Sequence, residues 1–321
     1  ALLSQVVRNR QDFNDFMAPV CVHLVLIAGW MIWTTSVSDI WGTGVRVHGM
    51  VGNANGLAFM ALAPLPIVGV MAFDRDRPLA YRVFAAVSFF CGALTIMASG
   101  SRGCSVGAVV AITVTAFTYV RGLGQHVAGL MVLLLLVVIT AFFAPTVIAD
   151  RMAGTIDGIG ASAPGEAIRS LNERDEHIAL GIEMVPERPI IGHGSLTFER
   201  RLAWRGGSGN VLHSAVLSMM VTCGIPAGLA YLGLFLGGIG VSWNGTRRPD
   251  WRLRLLFAGL AGSLAGLLAA LQVMPIDYTP RVLAWMALAH ILGLRLLRDT
   301  KVQVPVRVPA ALRPSLVDEP A

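Results

Sequence analysis

The sequence predicts an all-α polytopic membrane protein of about 8 transmembrane helices, with one large outer loop that contains an amphipathic helix. Three observations predict it. Only 14% of the residues are charged and the mean hydropathy is +0.67, whereas soluble domains carry about 25% charged residues. Apolar segments of spanning length recur along the chain, and arginines alternate between the loops that join them. The formal charge of +6 therefore reflects arginine-rich cytoplasmic loops rather than a nucleic-acid partner.

A spanning helix needs roughly 20 mostly apolar residues. Segments 17–37, 56–73, 81–99, 103–120, 127–149, 213–242, 251–273 and 281–298 qualify. The sixth is long enough to be tilted or broken, and Gly224-Ile225-Pro226 is the expected place for a kink. Small residues four apart (Gly103/Gly107, Gly224/Gly228, Gly262/Gly266) suit close helix packing and carry no functional information. Four cysteines, Cys21, Cys91, Cys104 and Cys223, fall in apolar runs without paired or metal-ligand spacing, so buried free thiols are expected.

With the N-terminus inside, cytoplasmic connections hold 13 basic residues and the opposite short loops hold only Arg46, Arg102 and Arg281. This positive-inside bias puts both termini in the cytoplasm. Residues 1–149 thus supply five N-terminal spans, 150–212 an outer loop, periplasmic in a Gram-negative cell, and 213–301 three C-terminal spans. The proline-punctuated tail 302–321 is expected to be disordered in the cytoplasm. The chain opens on Ala1 with no n-region and cleavage pattern, and is expected to be a fragment that lacks upstream spans.

The outer loop holds seven arginines, against the trend for an outside segment, and an anionic ligand is one reason for them. Within it, 165–185 has helical periodicity, with Ile168, Leu171, Ile178, Ile182 and Val185 on one stripe and Arg174 bordering it. Proline ends that helix, and "PERPIIGHGSLTF" continues as a glycine-rich turn. His213 sits at the first turn of the sixth span. Arg102, Arg174 and His213 therefore gather on the outer face, with Arg46 a weaker fourth. Each alone has an ordinary explanation: an arginine at a helix end snorkels, Arg174 pairs with a neighbouring acid, and an interfacial histidine is hydrogen-bonded. Together they form a candidate site.

Four motifs in this order resemble the O-antigen ligase / O-antigen polymerase superfamily of bacterial membrane glycosyltransferases. "RVHGMVGNANGLA" carries Arg46, Gly49, Asn55, Leu57 and Ala58, and "ASGSRGCSVGAVVA" carries Ser101, Arg102 and Gly103. "NERDEHIALGIEMVPERPIIGHGSLTF" carries Arg174, Pro189, Gly192, Gly194 and Phe198, and "LHSAVLSMMVTCGIPAGL" carries His213, Leu217, Gly224, Gly228 and Leu229. The resemblance covers roughly 45–230. His177 stands where the family commonly has Trp, and Ser214 where it often has Asn.

The resemblance implies transfer of a glycan from undecaprenyl diphosphate to an acceptor hydroxyl, lipid A–core for a ligase, at the periplasmic face of the inner membrane. It implies no cofactor, neither nucleotide sugar nor metal. Arg102 and Arg174, with Arg46, would bind the diphosphate, since arginine is a permanent cation that grips phosphate bidentately. His213 would be the catalytic residue, as general base or by orienting the acceptor hydroxyl. A polymerase that extends a lipid-linked glycan, or a protein O-oligosaccharyltransferase, would use similar residues. A secondary transporter is the more distant alternative, but inverted repeats and paired broken spans are not seen in the sequence.

Overall fold

The computed structural model describes residues 10–34, 54–119, 165–206, 212, 214–247 and 250–272; at 10–16, 34, 102, 165–173 and 252 the helical backbone alone is described. The spans expected at 127–149 and 281–298, and the tail from 302, lie outside the described residues. Among the described residues the protein is all-helical. Its helices are α1 (Arg10–Thr34), α2 (Ala54–Leu62), α3 (Leu65–Ala72), α4 (Leu79–Ala98) and α5 (Arg102–Tyr119). They continue as α6 (Gly165–Met184), α7 (Thr197–Trp204), α8 (Ala215–Cys223), α9 (Ile225–Gly245) and α10 (Trp251–Leu271).

Four described stretches are long and apolar enough to cross a membrane: Ala54–Ala72, Leu79–Ala98, Ile225–Gly245 and Leu253–Leu271. Met17–Trp33 and Gly103–Tyr119 are apolar but shorter. Two expected spans are interrupted. The second divides at Ala63-Pro64, between α2 and α3. The sixth divides at Gly224, whose φ of 92° ends α8, while Pro226 opens α9 without needing a backbone donor. The kink expected at Gly224-Ile225-Pro226 is thus a full break.

Helices α5 and α10 cross at close range through glycine. A Cβ at Gly107 would come within 2.6 Å of the Gly266 carbonyl, and one at Gly266 within 2.5 Å of the Gly107 carbonyl. Gly262 likewise leaves room for the Ala111 carbonyl and Thr115. The small-residue spacing in these two helices is therefore a backbone contact, as expected. The buried Ser263 hydroxyl donates to the Ala63 carbonyl in the α2–α3 turn. In an apolar interior an interrupted helix needs such a partner for its carbonyl.

These contacts set directions. Residues 107 and 266, and 111 and 262, run antiparallel. Leu65 beside Gly92 and Phe89 beside Gly69 make α3 and α4 antiparallel, and Phe257 on Gly245 does the same for α9 and α10. The described pairs α3/α4, α5/α10 and α9/α10 thus run in opposite directions, in keeping with the alternating arginines. The starts of α2 and α5 and the ends of α4 and α10 consequently share one end of the bundle.

Two expectations need correction. The α6 stripe was expected on Ile178, Ile182 and Val185, yet Ile182 is 59% exposed. The buried face is His177, Leu180, Gly181 and Met184, because Gly181 lets Leu212 and Leu217 pack close and His177 sets its ring edge-on to Phe198. The cysteines are free, but only Cys21 and Cys104 are buried; Cys91 is intermediate and Cys223, at the helix break, is exposed.

Gly266→Val should drive a branched side chain into the Gly107 carbonyl and Ala111. Overpacking of this kind costs about 1–3 kcal/mol, so the variant should lose its folded fraction at lower temperature, read by size exclusion of heated, detergent-solubilised protein. Gly29→Ala, at a position with nothing within 4 Å of the added Cβ, should leave that temperature unchanged.

Candidate functional site

The end of the bundle shared by α2, α4, α5 and α10 is built from serines and helix termini. Ser99-Gly100-Ser101 turns the chain between α4 and α5, with Gly100 at φ 60°. Ser99 donates to the Ile96 carbonyl at 2.6 Å and accepts from the Ser101 amide at 3.2 Å. Ser101 caps α5 by accepting from the Cys104 amide at 3.5 Å. Both serines are buried, so the turn is held rigidly and Arg102 is the first residue of α5. The Cys104 thiol reaches the Asn55 carbonyl at 4.0 Å, which puts the start of α2 beside the start of α5.

The start of α8 joins the same end. Ser214 is its N-cap, accepting from the Leu217 amide at 3.4 Å. Its hydroxyl lies 3.5 Å from Gln272 Oε1, just past the end of α10. Helix N-termini of α2, α5 and α8 therefore lie at the same end of the bundle. Each carries about half a positive charge from its aligned peptide dipoles and unpaired amides. An arginine at the first position of α5 opposes that dipole, an arrangement an anion between the two would relieve.

The break at Gly224 is closed by the glycine-rich turn between α6 and α7. The His193 amide donates to the Val221 carbonyl at 2.8 Å and the Gly194 amide to Thr222 at 2.9 Å. In return the Ile225 amide donates to the Pro189 carbonyl at 2.7 Å. The groups that the break orphans are thus paired by the turn, as a buried backbone demands. Gly192 (φ 69°) and Gly224 (φ 92°) allow the approach: a Cβ on Gly192 would lie 2.5 Å from the backbone of Thr222 and Cys223.

The turn is anchored in turn by α6 and α7. His193 Nε2 lies 2.8 Å from the Met184 carbonyl, a contact in which that ring nitrogen donates. Arg201 grips Glu187 through both carboxylate oxygens at 2.5 Å, and that hydrogen-bonded guanidinium holds the Glu187 carboxyl below its usual range. Leu180, Met184, Phe198, Leu202, Leu212 and Val221 form a second core. His177, where the family pattern has Trp, is buried there with its ring edge-on to Phe198 at 5.9 Å. It fills an aromatic packing position.

Of the residues predicted for the site, Arg46 and His213 lie outside the described residues. Arg102 is placed at the start of α5 by its backbone. Arg174 is half-buried on α6, two turns before Gly181, and Gly181 packs on Leu212 and Leu217. The chain positions flanking 213 are thus tied to α6 on one side and, through Ser214, to the end of α10 on the other. Gln272 was missed by sequence reasoning; it lies 58 residues from Ser214 at the end of an apolar run, and only the antiparallel course of α10 reveals it.

Residues 87–232 match a family model described as O-Antigen ligase. The matched segment contains Arg102, Arg174 and His213 and begins after the Arg46 motif. Among curated proteins, none matches the chain.

Gly192→Ala should undock the turn, and hydrogen exchange at the amides of His193, Gly194 and Ile225 should accelerate together. The Glu187–Arg201 pair has its own pH signature. A carboxyl whose folded pKa is depressed stabilises above its unfolded value, about 4.3, and that stability is lost as pH falls through the folded value. Protection of the α7 amides should be flat from about pH 7 to 5 and fall slightly below about 4, and Glu187→Gln should remove that pH dependence.

Proposed function

We infer, from the match of residues 87–232 to a family model described as O-Antigen ligase, that this membrane protein belongs to that family and carries out ligase-type glycan transfer. The donor is a glycan on undecaprenyl diphosphate, and the acceptor is a hydroxyl of lipid A–core. Transfer takes place at the periplasmic face of the inner membrane. The observation that carries this reading is the placing of three helix N-termini at one end of the bundle, with Arg102 opening one of them and His213 directly preceding the cap of another in sequence.

Such an end suits a diphosphate leaving group. As the acceptor oxygen attacks the anomeric carbon, the carbon–oxygen bond to the diphosphate breaks and negative charge builds on the leaving phosphate. Arg102 and Arg174, with Arg46, stabilise that charge, assisted by the amides of the helix starts. His213 accepts the hydroxyl proton or orients the hydroxyl for attack. Direct displacement inverts the anomeric configuration. The arginines supply the cationic charge, so the reaction is metal-independent.

The positive-inside distribution supports the periplasmic placement of this end. Every arginine-rich short loop lies at the opposite ends of the spans. A polymerase would use the same donor and differ in acceptor, a second lipid-linked glycan. Complementation of a deletion strain separates the two: carrier-linked polymer that accumulates unligated identifies a ligase, and lipopolysaccharide capped with single repeats identifies a polymerase. An unchanged lipopolysaccharide profile would count against both.

His213→Ala should insert normally and lose transfer by about two to four orders of magnitude. Full activity in that variant would sink the mechanism. Arg102→Lys should fail nearly as badly as Arg102→Ala, because a point charge cannot replace a bidentate fork. Transfer by purified protein should persist in EDTA.

A further inference from the structure

We propose that the glycine-rich turn and α7 ride in the headgroup–acyl boundary of the bilayer, on a surface whose ligand is anionic phospholipid. Ile190 and Ile191 are each 74% exposed, Leu196 61% and Trp204 88%. All four belong to elements fastened to the helix break. Pro189, next to Ile190, accepts from the Ile225 amide, and the Ile190 carbonyl packs on Gly224. Leu196 precedes α7, whose Phe198 and Leu202 are buried in the core that also holds Val221.

The break marks a depth. Helix α9 has 21 residues, and at about 1.5 Å per residue it spans roughly 31 Å, the thickness of the hydrocarbon layer. Its first residue, Ile225, therefore stands at the edge of that layer, and so do the isoleucines fastened to it. The outward face of α9 is apolar, with Leu229 at 55%, Leu236 at 53% and Trp243 at 45% exposure. Ile190 and Ile191 extend this lipid-facing surface past the first turn of the helix.

Composition points to the same partner. Arg188 and Arg200 are exposed on the same two elements, and basic residues interspersed with exposed isoleucine and tryptophan are the pattern of an interfacial segment. Leu196 holds a left-handed φ of 65°, a conformation a leucine adopts only under constraint. Its exposure is therefore built into the turn rather than left by chance. Helix α7 buries one face in protein and leaves Trp204 beyond it, where an indole prefers the headgroup level.

The test reads fluorescence of the full chain in mixed phosphatidylcholine/phosphatidylglycerol vesicles, and so does not depend on glycan transfer. The chain has seven tryptophans, and the difference between wild type and Trp204→Phe isolates one of them. This exposed side chain can be shortened without opening a core. Trp204 should lose most of its emission to lipids brominated near the headgroup end of the acyl chain, and little to aqueous iodide. Ile190→Asn combined with Ile191→Asn should weaken the bromine effect while the difference spectrum persists. Omitting phosphatidylglycerol should also weaken it. Strong iodide quenching without bromine quenching would overturn the proposal. Shielding from both quenchers, with Trp204→Cys cross-linking two copies, would overturn it in favour of a protein interface. Equal quenching in pure phosphatidylcholine would remove the anionic ligand.

Discussion

The described structure depends on one constraint: a helix broken inside an apolar segment must have its orphaned backbone groups paired by protein. Gly224 and Pro226 end one helix and start another within a single apolar segment. An unpaired amide or carbonyl is costly anywhere dry and costlier near lipid. The outer loop resolves this by sending Pro189 to Gly194 into the break, where two amides and one carbonyl exchange hydrogen bonds with residues 221, 222 and 225. Among the described residues three further contacts hold that turn in place: His193 on the Met184 carbonyl, Glu187 on Arg201, and the small core between α6, α7 and α8.

The same constraint shapes the candidate site. Dividing the sixth span frees its first segment, α8, to begin at Ser214, beside Gln272 at the end of α10. The position of 213 is thus set by a cap on one side and by α6 on the other. Close glycine contact between α5 and α10 then fixes where α5 begins relative to α8. In the proposed reaction a diphosphate needs cations that do not reorganise as charge develops, and the serine turn ahead of Arg102 is a rigid mounting for its backbone. The turn and the break thus serve one end of the molecule from two directions.

Features set by local chemistry were legible in the sequence. The break at Gly224-Ile225-Pro226 could be read because glycine and proline change the backbone whatever surrounds them. The α6 helix and its proline end were legible for the same reason, as were the glycine contacts of α5 and α10. The buried face of α6 was not. Hydrophobic periodicity favoured Ile178 and Ile182, and the protein instead buries His177 and Gly181. A histidine edge against Phe198 and a glycine under Leu212 and Leu217 become favourable only once those partners arrive. Gln272 was hidden likewise, because its significance comes from a residue far away in the chain.

By itself, then, the sequence determined that this is a helical protein with apolar spans and where the segment around Gly224 breaks. Each of these follows from side-chain transfer energies and backbone freedom, which act over a few residues. Only the tertiary structure decided what closes the break and which helix starts meet. The same is true of the side of α6 that faces protein. Those outcomes depend on pairing groups separated by many residues, and hydrogen bonds and close packing carry no trace in the local pattern until the chain brings them together.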